Sequence, residues 1–332
     1  MKHYFLFLGI ICISFFSQAQ DIERQVVASS GETIANGTVS LNFTVGELAV
    51  TTITDGNSTL TQGFHQTTIL LGIKIDLIVF LQGALLNSSN NLMRDDLRST
   101  LLTTTSPYSD GLTCAASVLN TGGTSGTGMD NDDIVDWVFI ELRDAVDNTI
   151  VASSQSALLQ RDGDIVATDG LSDIEIEVRA DDYYVVIKHR SHLGIMTANT
   201  VALSGTSATV DFTNATNQIT FGSNAQTTFG MPSGIVAMWA GNVNEDAVIQ
   251  YSGTNPDVPS ILSLVLNDAG NFLNLPTYAV LGYNNSDVDM NGTIQYTGTT
   301  PDTPFILQNV LAHPENFLNF STYQIQEQLP EN

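Results

Sequence analysis

The chain is short of cysteine and of basic residues, and each shortage excludes something. It has 332 residues but only two cysteines, Cys12 and Cys114. Cys12 sits in a leader expected to be removed, so the mature chain keeps one thiol and can form no internal disulfide. Lysine and arginine together number 10 against 35 acidic residues, for a net charge of −25. Cleaving the leader takes one lysine and no acid, which makes the balance more negative still. Such a surface repels phosphate backbones and anionic bilayers, so nucleic acid is not expected as a partner. Beyond the leader no run is long and apolar enough for an integral membrane segment. Absent too are a His-Glu-x-x-His zinc helix, a phosphate-cradling glycine loop and a nucleophile elbow. The chain reads as non-catalytic.

What is present begins with export. Lys2 and His3 precede the apolar run Phe5 to Ile13, and Ser17-Gln18-Ala19 offers small residues for cleavage. Residues 1–20 are therefore expected to be a signal peptide, and the protein secreted or held at the cell surface. Ile11 stands where lipid attachment at Cys12 would need a small residue, which favours ordinary cleavage.

The mature chain reads as mainly β. Residues 21–70 form a short β segment in which Thr38 to Val45 alternates at period two, followed by an Asp55-Gly56 turn. Residues 71–230 read as a β-sandwich. Its strands are expected over Lys74 to Leu81, Val135 to Arg143, Thr149 to Ala152, Ile174 to Val178 and Tyr183 to Arg190, with Asp162-Gly163 and Asp169-Gly170 turns between them. Only 92–102, with Leu92, Leu97, Leu101 and Leu102, carries helical spacing there.

Residues 231–332 are written twice. Asn242 of the first copy corresponds to Asp287 of the second, a shift of 45 residues that holds to Tyr278 against Tyr323. Each copy opens with oxygen-bearing side chains at alternate positions: Asn242, Asn244 and Asp246, then Asp287, Asp289 and Asn291. Alternate residues of a tight loop can converge on one centre, which is what a hard cation such as Ca²⁺ requires. Val248 and Thr293 at position seven complete the two sets. The pattern wants an acid at position twelve, where Gly253 and Gly298 stand instead. Asp257 and Asp302, four residues on, are candidates to supply that carboxylate; the alternative is that each caps the helix that follows. Position six is Ala247 in the first copy and Gly292 in the second. Copy two has three carboxylates and the glycine, so two Ca²⁺ sites are expected with the second the tighter. After each loop, Pro259 or Pro304 opens a stretch with helical spacing: Ile261, Leu262, Val265, Leu266, and Ile306, Leu307, Val310, Leu311.

With both copies in view, residues 231–332 resemble a small α dockerin-like module, the duplicated loop-helix calcium fold. Over nearly its whole mature length the chain resembles secreted Bacteroidetes surface proteins labelled haemagglutinin-like. The motifs that carry this are Val135-Asp136-Trp137-Val138, Arg161-Asp162-Gly163, Tyr183 through Met196, Trp239-Ala240-Gly241-Asn242 and the closing Glu327-Gln328-Leu329-Pro330. The segments Gln25 to Gly31 and Thr61 to Phe64 are similar to one found in proteins exported by the type IX route, although no lysine-rich sorting tail follows. The resemblance implies an immunoglobulin- or prealbumin-like sandwich followed by the calcium module. It implies adhesion or protein–protein attachment to a protein or glycan at the cell surface. The alternative is a lectin-like carbohydrate binder with Tyr108, Tyr183 or Tyr184 stacking on sugars.

Other residues carry weaker signals. His189 and His192 are expected on opposite faces of a strand, unless it ends between them, and in a structural role. Asp181-Asp182 and Asp130 to Asp133 read as solvated loop tips, the second group alternatively as a cation site. Cys114 reads as a buried thiol, and Trp137 as packing.

Overall fold

The computed structural model describes the backbone of four short strands in the first 60 residues. From 72 to 331 it also describes side chains, apart from 87, 89, 90, 99, 120–121 and 122–130. The expected leader, the Asp55-Gly56 turn and the glycine- and threonine-rich segment 122–130 lie outside the described residues. The chain divides into two units, Met1–Ile69 and Leu70–Asn332. In the first, β1 (Ala28–Asn36) and β2 (Val39–Glu47) form an antiparallel hairpin closing at Asn36 opposite Val39. Two shorter strands, β3 (Ile53–Thr54) and β4 (Thr59–Leu60), form another.

The second unit is built on a nine-stranded sheet. Its members are β5 (Ile73–Ile78), β6 (Ile134–Asp144), β7 (Val151–Gln160), β8 (Asp164–Val166), β9 (Ile174–Ile176), β10 (Asp181–His189), β11 (His192–Met196), β12 (Val201–Leu203) and β13 (Ala208–Asp211). The order is β11-β10-β6-β7-β8-β5-β13, with β12 on β10 and β9 on β5. Every pairing is antiparallel except that of β13 with β5. The fold is therefore mainly β, consistent with a β-sandwich. Strand β6 is the long central one. Val135, Trp137, Ile140 and Leu142 are all buried, so both of its faces are covered. Trp137 packs in the main core and its indole N–H donates to the Thr103 carbonyl at 2.8 Å, which satisfies its one polar atom.

The helix expected over 92–102 does not form. Among its described residues that segment makes turns and irregular backbone, with Arg98 N–H bonding to the Asp95 carbonyl and Leu101 N–H to that of Leu97. Its charged side chains are committed elsewhere. Arg98 is buried against Asp95 and Asp133, so the chain must bend to deliver both the leucines and the guanidinium inward. The short helices of this region are α1 (Gln82–Leu85) and α2 (Ala116–Thr121). Asp133 is fully buried beside Arg98 and Arg161, which corrects its reading as a solvated loop tip, whereas Asp181 and Asp182 are exposed as expected. Cys114 is only partly buried.

From residue 226 on the strands are short: β14 (Gln226–Thr227) with β15 (Ala237–Met238), β16 (Val248–Ile249) with β19 (Ile325–Gln326), and β17 (Ala279–Leu281) with β18 (Thr293–Gln295). Between them lie α3 (Val258–Asn267) and α4 (Thr303–Ala312), each with proline in its first turn. Ile261 and Val265 of α3 and Ile306 and Val310 of α4 join Trp239, Ile249 and Ile294 in a second apolar cluster. Among the described residues no helix is long and apolar enough to cross a membrane.

This region is keyed into the sheet by polar contacts as well as apolar ones. The Gln82 and Asn309 amides pair reciprocally at 2.8 and 2.9 Å, and both residues are fully buried. Gln82 also accepts from Ala240 N–H and donates to the Phe229 carbonyl, while Asn309 donates to the Ala240 carbonyl. Such a pair holds α1, β15 and α4 at one fixed spacing, because a small shift would leave buried amide groups unbonded.

Candidate metal centre

Each loop winds back on itself through residues with positive φ: Glu245 and Ala247 in the first, Met290 and Gly292 in the second. At the end of each loop stands the aspartate that precedes the helix. Neither Asp257 nor Asp302 makes a side-chain cap bond to its helix. Their carboxylates face backwards instead. Asp302 accepts from Val288 N–H at 2.8 Å and Gln295 N–H at 2.9 Å; Asp257 accepts from Val243 and Gln250 N–H, each at 2.8 Å. Both are buried. The carboxylates thus face their loops and do not cap the helices.

The glycines at position twelve then have a simple cause. Gly253 and Gly298 have φ of 139° and 145°, and a Cβ on either would lie 2.5 Å from the side-chain amide of Gln250 or Gln295. Those amides cross the loop to bond the Thr322 and Thr277 carbonyls, and each accepts a backbone N–H from the tip. A side chain at twelve would be strained by that φ and would have to push the glutamine amide from its bonds.

In the second loop the aspartates converge. Asp287, Asp289 and Asp302 each bring a carboxylate oxygen within 4.8 Å of the others. Asp287 accepts from Asn291 and Gly292 N–H, and the Asn291 amide donates to Asp289 at 2.8 Å. A carboxylate has about four lone-pair directions, so these bonds leave room for a cation. Burial, with further repulsion from Asp289 in both cases, drives Asp287 up to about 7 and Asp302 up to about 8. Asp289 is also raised, mainly by burial. Three such acids held together cannot all ionise cheaply without a counter-ion. They could hold a metal ion, and a set made wholly of oxygen donors suits a hard cation. Asn291 and Thr293 complete the loop, the Asn291 side-chain Oδ1 accepting from Thr293 N–H at 2.7 Å.

The first loop gathers less. Asn244 and Asp246 are exposed and bond each other at 3.1 Å, with Val248 N–H held by Asp246. Asn242 is buried, and its side-chain oxygen has no hydrogen-bond partner. Burial raises Asp257 to about 7. An orphaned amide oxygen beside a partly protonated acid fits a cation, but the loop offers fewer charges than its twin.

The neighbourhood of the second loop was not legible in the sequence. Gly83 of α1 lies so close that a Cβ would meet the Val288 carbonyl at 2.3 Å. Arg94 bonds both the Gly83 and the Asp289 carbonyls. Beyond these lies a buried polar chain. His189 and His192 sit opposite each other where β10 turns into β11, so their rings meet, with Nδ1 atoms 2.9 Å apart. Gly83 N–H donates to His192 Nε2, so His192 must carry its proton on Nδ1 and give it to His189 Nδ1. His189 Nε2–H then donates to Asp136 at 3.2 Å. Burial lowers both imidazoles, keeping them neutral. Burial would raise Asp136, but Arg190 and the His189 and Tyr283 bonds bring it down to about 2. Arg190 lies over the Tyr283 ring, 4.2 Å from its centroid, and bonds the Asn284 carbonyl just before the second loop. The chain is closed to solvent and works as a strut. Of the tyrosines expected as sugar platforms, Tyr183 is buried and Tyr108 and Tyr184 are partly buried.

No protein-family model, curated protein or solved structure matches the chain.

Proposed function

We propose that this is a non-catalytic, exported attachment module whose duplicated C-terminal loops are organised by Ca²⁺, the second loop binding more tightly. The observation that carries the reading is the convergence of Asp287, Asp289 and Asp302 in a loop wedged against α1. A divalent ion there would neutralise buried charge and stiffen the seam between the repeats and the sheet. Support for an extracellular setting comes from the sequence, in the leader-like start. Millimolar calcium outside the cell would keep such loops filled, taking the role that disulfides have in other secreted domains. The dockerin-like and haemagglutinin-like resemblances favour attachment to a protein or glycan over catalysis.

Differential scanning calorimetry in calcium and in chelator tests this. Calcium should raise the melting temperature, and the Asp287→Asn variant should lose most of the shift. A transition that ignores both calcium and chelator would sink the reading. A pull-down from the surface fraction, with and without calcium, would then identify what is attached.

A further inference from the structure

A groove of 720 Å³ lies beside the exit turn of the second repeat, well within the roughly 300–1,000 Å³ of small-molecule sites. One wall is the last strand. Period-two alternation sends Ile325 into the core and puts Gln324, Gln326 and Gln328 on the groove side. The other wall is aromatic. Tyr323 stacks on His313 at 5.0 Å and 29°, and His313 lies against Trp239 at 5.5 Å, so the outer ring is backed by two more. Burial keeps His313 below its usual range, a neutral ring at neutral pH. Glu315 accepts from the Tyr323 hydroxyl at 3.3 Å and from Asn224 at 3.0 Å, and Phe320 adds an exposed apolar flank.

The duplication supplies an internal control. The residues that build the turn are the same in both copies: Asn271 and Asn316 each clamp it with three hydrogen bonds, and Tyr278 matches Tyr323. The groove residues are not. His313, Glu315 and Phe320 replace Asp268, Gly270 and Leu275, and the three glutamines replace Ala279, Leu281 and Tyr283. In the first copy a Cβ on Gly270 would meet the Tyr278 hydroxyl at 2.2 Å, so the hydroxyl end of that tyrosine sits over the Gly270 backbone. In the second copy Glu315 occupies the equivalent position and bonds the Tyr323 hydroxyl. The Gln326 side chain makes no hydrogen bond with any described residue, and Gln324 uses only its N–H, toward Thr254. Copy two has thus gained polar side chains around the groove; Gln328 bonds Ser223 N–H and the Gln326 carbonyl, whereas the Gln326 amide and the Gln324 side-chain oxygen have no partner among the described residues.

We infer that this groove binds a neutral oligosaccharide, with Tyr323 beneath a sugar ring and the Gln326 amide and the Gln324 side-chain oxygen on its hydroxyls. Sugars offer apolar C–H faces that suit the electron-rich face of an aromatic ring, and edges that both donate and accept, as amides do. No lysine or arginine lines the groove, and Glu315 adds a negative charge to an already acidic chain, so anionic glycans are disfavoured. The inference goes beyond the attachment reading and needs no cation in either loop.

Saturation-transfer difference NMR on the mature chain would test it, using mannopentaose, cellopentaose, xylopentaose, laminaripentaose and chitopentaose, with oligogalacturonate as the anionic probe. At least one neutral oligosaccharide should receive saturation, in calcium and in chelator alike. Titration should show affinity at least tenfold weaker in Tyr323→Ala and in the surface variant Gln326→Ala. Leu281→Ala, the matching exposed position of copy one, should bind like wild type. The inference is overturned if no neutral oligosaccharide is saturated, if binding survives both groove substitutions, or if only oligogalacturonate or an added peptide binds. Because the melting response to calcium is read separately, failure here leaves the cation reading standing, and the reverse.

Discussion

At the scale of single residues, backbone conformation separates the two loops more sharply than charge does. Ala247 is held at φ 63°, where an L side chain is strained by roughly 1–2 kcal/mol, while its counterpart Gly292 at 82° is not. Ala247→Gly should therefore stabilise the protein by up to about 1 kcal/mol, part of the relief being lost to the freer unfolded chain. Chemical denaturation would show it as a higher midpoint at unchanged slope. Gly298→Ala should do the opposite, by about 2–3 kcal/mol, because its methyl group would displace the Gln295 amide that ties the loop. A third substitution has effects of opposite sign. Asp289→Asn removes one of three crowded acids, so in chelator it should melt higher than wild type, while its gain from calcium should shrink. Calorimetry in the two buffers checks both halves. The alternating oxygens were plain in the sequence, and so was the missing acid at twelve. That glycine is required there because a glutamine amide crosses the loop was not, since the contact is made in space.

At the scale of elements, the second repeat differs from the first in being locked to α1. Asn309 stands where the first copy has Leu264, and it pairs with Gln82, 227 residues away in the chain. Asn309→Leu alone should cost about 2–3 kcal/mol, because it strands the buried Gln82 amide. Adding Gln82→Leu should cost less than the sum of the two single changes, and a double-mutant cycle by urea unfolding reads the difference. The sequence announced both helices through their prolines and their apolar spacing. It also suggested a helix at 92–102, where leucine spacing was misleading because Arg98 and Asp95 had to reach buried partners. Strand positions in the sheet followed the alternation well, from Ile73–Ile78 to Asp181–His189. The β10–β11 hairpin that makes the two histidines neighbours depended on where the strand turned.

At the scale of the whole molecule, the Asp136–His189–His192 chain joins β6, the β10–β11 hairpin and α1, and Tyr283 and Arg190 extend it to the second loop. Its imidazoles are buried neutral, so below the ordinary histidine value of 6.5 the unfolded chain takes up protons that the folded one refuses. The stability contributed by the pair is thus complete above pH 6.5 and falls on acidification. The advantage of wild type over a His189→Asn, His192→Gln variant should narrow between pH 7.5 and pH 5.5, as followed by thermal melts. A calcium concentration one hundred times the dissociation constant should add about 2.7 kcal/mol to the folded state, provided the unfolded chain does not bind.

The sequence by itself determined what is local: β alternation, loop and helix boundaries, the repeat, and which oxygens could meet within one loop. Those follow from spacing along a backbone of fixed geometry. Only the tertiary structure decided which way Asp257 and Asp302 face, that α1 and Arg94 brace the second loop, and that two histidines share a proton chain. It also decided that Tyr323 and three glutamines line one groove while the matching residues of the first repeat do not. These depend on segments far apart in the chain coming within bonding distance, and that follows from how the sheet and the helices pack, not from the order of residues in any one of them.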